Sequence, residues 1–160
     1  LSSGKVEMKY MTAKEEDILT NQSYIQKGTV LDKLLEKLIV SECNYKDLIV
    51  GDKNALLIAA RILGYGNDYE FSYKDEKIKI DLSTLENKEI DKSKFEQGKN
   101  EFSFTLPKSG SIITDSRSLR NYIKDFQPDV NLNIPIELQG GEENITIPIG
   151  LTFFWPDADL

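Results

Sequence analysis

Apolar positions along this chain recur first at helical spacing and then at every second residue. Val30, Leu31, Leu34, Leu35, Leu38 and Ile39 fall on one face at helical spacing, while Asp32, Lys33, Glu36 and Lys37 fill the other. That pattern predicts an amphipathic helix over residues 30–40, with Thr29 as its N-cap and Asp32 at the N3 position. Upstream, Thr12-Ala13-Lys14-Glu15 reads as a capping box that opens a short helix ending near Thr20. Before it, Val6, Met8 and Tyr10 alternate with Glu7, Lys9 and Met11, as in a short strand. Asp52 is placed to cap a third helix over 53–63, stopped by Gly64. The body of that helix, Ala55-Leu56-Leu57-Ile58-Ala59-Ala60, is apolar nearly all round, which places it in the middle of a fold.

Beyond the turn Gly64-Tyr65-Gly66-Asn67-Asp68 the period falls to two. Tyr69, Phe71 and Tyr73 alternate, and so do Ile78, Ile80 and Leu82 after Lys74-Asp75-Glu76-Lys77, which predicts a hairpin. Residues 83–100 are polar and predict a long exposed loop. Phe102, Phe104 and Leu106 suggest a further strand that Pro107 ends. Thr114 or Asp115 then caps a helix carrying Leu119, Tyr122, Ile123 and Phe126 on one face. A second hairpin follows, with Leu132, Ile134 and Ile136 on one strand, Gly140-Gly141 at the turn, and Ile145, Ile147 and Ile149 on the other.

No strand–helix–strand alternation suggests a parallel sheet, so the expected class is α+β, a small helical core with two β-hairpin segments. The expected organisation is one compact unit overall. It comprises a helical core with an extended lead-in (1–68), a hairpin segment and loop (69–106), a connector and helix (107–127), and a C-terminal hairpin with an aromatic end (128–160).

Composition narrows the chemistry. The chain has 160 residues, 39% of them hydrophobic and 29% charged, enough for one real core. Its net charge of −7 makes non-specific binding to nucleic acid or anionic lipid a poor expectation. With no His and a single Cys, Cys43, no Ser–His–Asp triad, Cys–His pair, His-assisted zinc site or internal disulfide can be written. Cys43 follows an apolar helical run and reads as a buried or half-buried thiol. No apolar run reaches membrane-spanning length, and the start has no signal-peptide run. The start also lacks an initiator Met, so some of the N-terminus is expected to be missing.

Candidate chemistry is sparse. The clustered carboxylates Glu15-Glu16-Asp17 and Glu142-Glu143 could belong to an acid–base pair, yet helix-dipole compensation and solvation account for them. Gly64-x-Gly66 and Gly110 lack the partners of a phosphate loop, and Asp157-Ala158-Asp159 is too short for a calcium loop. Arg117, Arg120 and Lys124 form a basic stripe that reads as a solvated helix face. No catalytic, cofactor-binding or metal-binding residue is therefore expected. The aromatic end, Phe153-Phe154-Trp155, holds the chain's one Trp. These three are the candidate partner-binding residues: they pack back on the core, or at least one of them faces a partner.

Several stretches together carry a resemblance. They are Met11-Thr12-Ala13-Lys14-Glu15-Glu16-Asp17-Ile18-Leu19, Lys27-Gly28-Thr29 before the Leu-rich helix, and Gly51-Asp52 leading to Leu56-Leu57 and Ala60-Arg61. Tyr65-Gly66-Asn67-Asp68-Tyr69 and the ending Ile147-Pro148-Ile149 with Phe153-Phe154-Trp155-Pro156 complete the set. In this order, over residues 10–82 and 115–156, the chain resembles the baseplate protein family of T-even-type contractile-tail bacteriophages, whose members are hub subunits or hub-assembly factors. The resemblance implies a non-enzymatic tail protein of the baseplate hub region, in a hetero-oligomeric assembly with other hub or tail proteins. It would be made in the host cytoplasm and carried in the virion tail.

Two departures stand out. The resemblance implies a zinc-ribbon-like Cys-x-x-Cys knuckle in the two β turns. Here those turns read Lys74-Asp75-Glu76 and Gln139-Gly140-Gly141-Glu142, so a metal-free version held by packing and turn hydrogen bonds is expected. It also implies a longer middle region than residues 107–114 provide, so a discontinuity of the chain is expected there. Rival readings are an assembly chaperone absent from the mature virion, a carboxylate-based glycan-active tail enzyme, and a host-directed binding module. Elemental analysis of the pure protein should find no stoichiometric zinc, and a chelator should leave its melting temperature unchanged.

Overall fold

Helix formation begins at the capping box. A computed structural model describes residues 5–89, 127–138 and 140–155. In it α1 (Ala13–Leu19) follows Thr12, whose backbone is extended. The Glu15 carboxylate accepts from the Thr12 amide at 3.0 Å and the Thr12 hydroxyl at 2.5 Å, closing the box. It also accepts from Lys9 Nζ at 2.6 Å, which ties the lead-in to the helix. Glu15 is buried, and hydrogen bonds from Lys9 and Thr12 hold its carboxyl down at about 2, from an ordinary 4.5.

A short helix, α2 (Gln22–Gln26), follows, capped by Asn21, whose side chain accepts from the Tyr24 amide at 3.2 Å. The Leu-rich helix is α3 (Val30–Leu38), with Val30, Leu34, Leu35 and Leu38 buried. Burying each such side chain is worth roughly 2 kcal/mol. The helix stops at Leu38 because the chain turns extended at Ile39, which bridges antiparallel to Met8. The Lys9 amide donates to the Leu38 carbonyl and the Val40 amide to the Glu7 carbonyl, both at 2.9 Å. The predicted lead-in strand is thus reduced to this one bridge. Cys43 is half-buried against the core.

The third predicted helix is longer than its sequence markers suggest. α4 runs Val50–Tyr65, capped by Ile49 without a side-chain hydrogen bond. Asp52 therefore lies in the first turn instead of capping it, an acidic residue at the positive end of the helix dipole. Gly64 stays helical, and the stop is Gly66, whose φ of 85° suits a residue without Cβ. Leu56, Leu57, Ile58, Ala60 and Arg61 are all buried, as expected for a central helix. α3 packs on α1 and on α4. The Tyr45 hydroxyl donates to Asp32 on α3, while Lys53 on α4 sits 4.2 Å over the Tyr45 ring and 3.5 Å from Asp32.

Both hairpins form, so the described chain is an α+β structure. β1 (Asp68–Tyr73) pairs antiparallel with β2 (Glu76–Asp81) through Tyr69↔Ile80 and Phe71↔Ile78. Lys74 and Asp75 both take positive φ, 48° and 65°, the geometry that matches a two-residue turn to strand twist. Leu82 leaves the strand for a 3₁₀ turn (Leu82–Thr84) and is buried. β3 (Asn133–Leu138) pairs with β4 (Gly141–Thr146) through Ile134↔Ile145, and the Ile147 amide extends the ladder to the Leu132 carbonyl at 2.8 Å.

Residues 1–87 and 129–160 belong to one compact unit, apart from a second spanning 88–128. The first unit closes where Asn87 bridges Val130 and the Asn131 amide donates to the Glu86 carbonyl at 2.8 Å. Asn54 of α4 donates to both Asp129 oxygens, at 3.0 and 3.2 Å. The strand predicted at Phe102–Leu106 positions, the helix from Thr114 or Asp115, the basic stripe and the 107–114 discontinuity lie outside the described residues. Among the described residues no helix is long and apolar enough to cross a membrane.

Leu57→Asp should put an uncompensated charge in the core and lower stability by about 4 kcal/mol or more, read by thermal melting. Glu15→Gln keeps the shape and removes the charge, and should cost about 2 kcal/mol at neutral pH. Because the folded carboxyl titrates at about 2 and an ordinary one at 4.5, this contribution is complete above the higher value. It fades as pH falls from the higher value to the lower. The gap between wild type and variant should therefore shrink over that window, and denaturant titrations at several acidic pH values will measure it.

Candidate functional site

The aromatic end does not continue the alternation of β4. After Pro148 and Ile149 the chain makes one helical turn, α5 (Leu151–Phe154), and the Trp155 amide donates to the Leu151 carbonyl at 3.1 Å. Helical spacing turns Phe153 and Phe154 inward together, and both are fully buried. Phe153 meets Tyr69 edge-on at 4.8 Å and Phe154 at 5.5 Å, and Tyr69 stacks with Phe71 at 5.3 Å. Trp155, one residue past the turn, is 43% exposed. Of the three candidate partner-binding residues, two are core and one reaches solvent.

What holds α5 down is a residue that patterning did not single out. Arg61, near the end of α4, is only 5% exposed and donates from Nε to the Phe153 carbonyl at 2.9 Å. Its guanidinium lies 4.7 Å from the Tyr65 ring and 5.7 Å from the Tyr69 ring. Nη1 is buried without a hydrogen-bond partner. Burial lowers the Arg61 pKa from its ordinary value, and burial raises those of both tyrosine hydroxyls. A cation set within the apolar stretch 55–63 was the available sequence signal. Its acceptor lies 92 positions away, so no local pattern points to it.

Arg61 also lines an open cleft of about 600 Å³ whose walls are the β1–β2 hairpin and the Pro148–Thr152 approach to α5. Asp68, Glu70, Lys77 and Lys79 face it from the hairpin, and Thr152 from α5. Lys79 is engaged by Asp68 at 2.8 Å and Glu70 at 3.9 Å.

The hairpin tips form the second distinctive feature. Lys74 Nζ meets Glu143 at 2.7 Å, and the Tyr73 hydroxyl donates to the same carboxylate at 3.1 Å. This contact raises the Lys74 pKa and lowers that of Glu143. An ion pair thus joins the first turn to β4 just past the second, close to where the sequence resemblance implies a metal knuckle. Among the described residues no group of three or more His, Cys, Asp or Glu side chains is placed to hold a metal ion. The clustered carboxylates have structural work: Glu15 is held by Lys9 and Thr12, and Glu143 by Lys74 and Tyr73.

Phe153→Ala should cost about 4 kcal/mol, the usual scale for emptying a buried aromatic site, measured by denaturant unfolding. Comparison with known protein families, with curated proteins and with solved structures finds no match to this chain.

Proposed function

We propose that this chain is a structural or assembly component of a contractile phage tail baseplate, in its hub region, and acts by protein–protein contacts without a catalytic centre. The phage assignment rests on the ordered sequence resemblance. The contact mechanism rests on one observation: Trp155 is 43% exposed directly beside two fully buried phenylalanines. A large amphipathic ring on a rigid base loses little entropy when it docks, which is why Trp is enriched at the centres of interfaces.

Tyr10, Val50, Leu63 and Tyr65 are further large side chains exposed on the same chain. The partners would be other hub or tail proteins in a hetero-oligomer, met first in the host cytoplasm and then held in the virion tail. An escort that leaves before the particle is finished would use the same contacts. Mass analysis of purified virions separates the two, since only a permanent subunit remains in the particle. A carboxylate-based glycan-active enzyme is the reading from another class, and the structural engagement of Glu15 and Glu143 weighs against it.

Trp155→Ala should weaken partner binding by about 2 kcal/mol or more while the isolated chain keeps its melting temperature. Unchanged assembly by the folded variant would remove Trp155 from the interface. Loss of folding in the isolated chain would assign it to the core with its neighbours.

A further inference from the structure

Buried polar groups almost always find a partner, and a buried cation without one is expensive. Arg61 departs from that rule. Its Nε is satisfied by the Phe153 carbonyl and its faces by two tyrosine rings, yet among the described residues Nη1 is unpaired and no carboxylate is bonded to the guanidinium. The residue lines the 600 Å³ cleft, of a size that accommodates a side chain and its neighbours. Among the described residues three cations line that cleft, Arg61, Lys77 and Lys79, against two anions, Asp68 and Glu70. Lys79 is already spent on both of those carboxylates, whereas Lys77 has no ion pair among the described residues. Among the described residues the uncommitted charge of the cleft is therefore positive, on a chain whose net charge is −7.

We infer that this cleft is a binding site for a carboxylate carried on an acidic segment of a partner protein, with Arg61 as its recognition residue and Lys77 at its rim. The partner being a protein rests on the contact role proposed above. Guanidinium matches a planar carboxylate through its N–H donors, and a carboxylate entering the cleft would meet Arg61, which lines it. Asp68 and Glu70 on the same wall repel a dianion more than a monoanion, which favours carboxylate over phosphate. The cleft is open along the polar face of an extended hairpin, where a chain segment can lie with one side chain inserted.

The test is an NMR titration of the intact ¹⁵N-labelled chain at fixed ionic strength, following the Arg61 Nε–H signal. The probes are a capped Gly-Glu-Gly tripeptide, its Gly-Gln-Gly counterpart, acetate and inorganic phosphate. The glutamate peptide should shift the signal saturably, acetate more weakly, phosphate more weakly than the peptide, and the glutamine peptide not at all. Arg61→Lys should weaken the glutamate peptide about tenfold, because charge remains while the paired donors are lost. Lys77→Glu, an exposed position, should weaken it several-fold with the fold intact, and serves if Arg61→Lys does not fold.

No saturable shift with the glutamate peptide, or a response that Lys77→Glu leaves unchanged, overturns the site. Acetate binding as well as the peptide overturns the partner segment as its occupant, and tighter phosphate overturns the carboxylate class. A chain found in tail particles that binds no carboxylate sinks this inference alone. Carboxylate binding by a chain absent from tails and their assembly sinks the phage reading and leaves the site standing.

Discussion

The contact between Arg61 and the Phe153 carbonyl joins the central helix of the described chain to its last helical turn. α4 supplies the guanidinium and α5 the acceptor, and the interaction survives because tyrosine rings shield it from water on two sides. Without it, a single turn of helix has little reason to exist, since four residues cannot support a helix by hydrogen bonding alone. Once α5 is docked, Phe153 and Phe154 fill the core beside Tyr69, and the first hairpin has a surface to rest on. Trp155 is then aimed outward by the same geometry. The seating of α5, one wall of the cleft and the exposed ring are all tied to this contact.

The remaining architecture is conventional hydrophobic packing. α1, α3 and α4 bury Leu19, Leu34, Leu35, Leu38 and Leu57 in one cluster, which Leu82, Ile147 and the tail phenylalanines complete. Polar cross-links occur at its margins. Lys9–Glu15 anchors the lead-in, Tyr45–Asp32–Lys53 joins α3 to α4, and Asn54–Asp129 receives the returning chain. At the far end, Lys74–Glu143 links the hairpin tips through exposed side chains, an arrangement that salt would weaken.

Much of this was legible in the sequence, and the exceptions share a cause. α3 and both hairpins were readable because each buries one face, so composition repeats at the period of the backbone. The Thr12–Glu15 box was readable because its partners are three residues apart. α2 was missed because its five residues, Gln22-Ser23-Tyr24-Ile25-Gln26, are too few to show a period. The start of α4 was misplaced because Ile49 caps it without a side-chain hydrogen bond, leaving Asp52 as the more obvious marker. α5 was not foreseen because Thr, Phe and Phe favour strands locally, and tertiary contact overrode that preference. The site residue Arg61 is the extreme case, since nothing within a turn of it announces an acceptor far along the chain.

The Asn87–Val130 bridge sets the topological status of everything between those residues. The two strands of chain that leave and re-enter this unit are held side by side, by the bridge and by the Asn131–Glu86 hydrogen bond. Loop-closure entropy rises only slowly with length, each doubling costing about 0.6 kcal/mol. Holding Asn87 beside Val130 therefore costs little more across a long intervening stretch than across a short one.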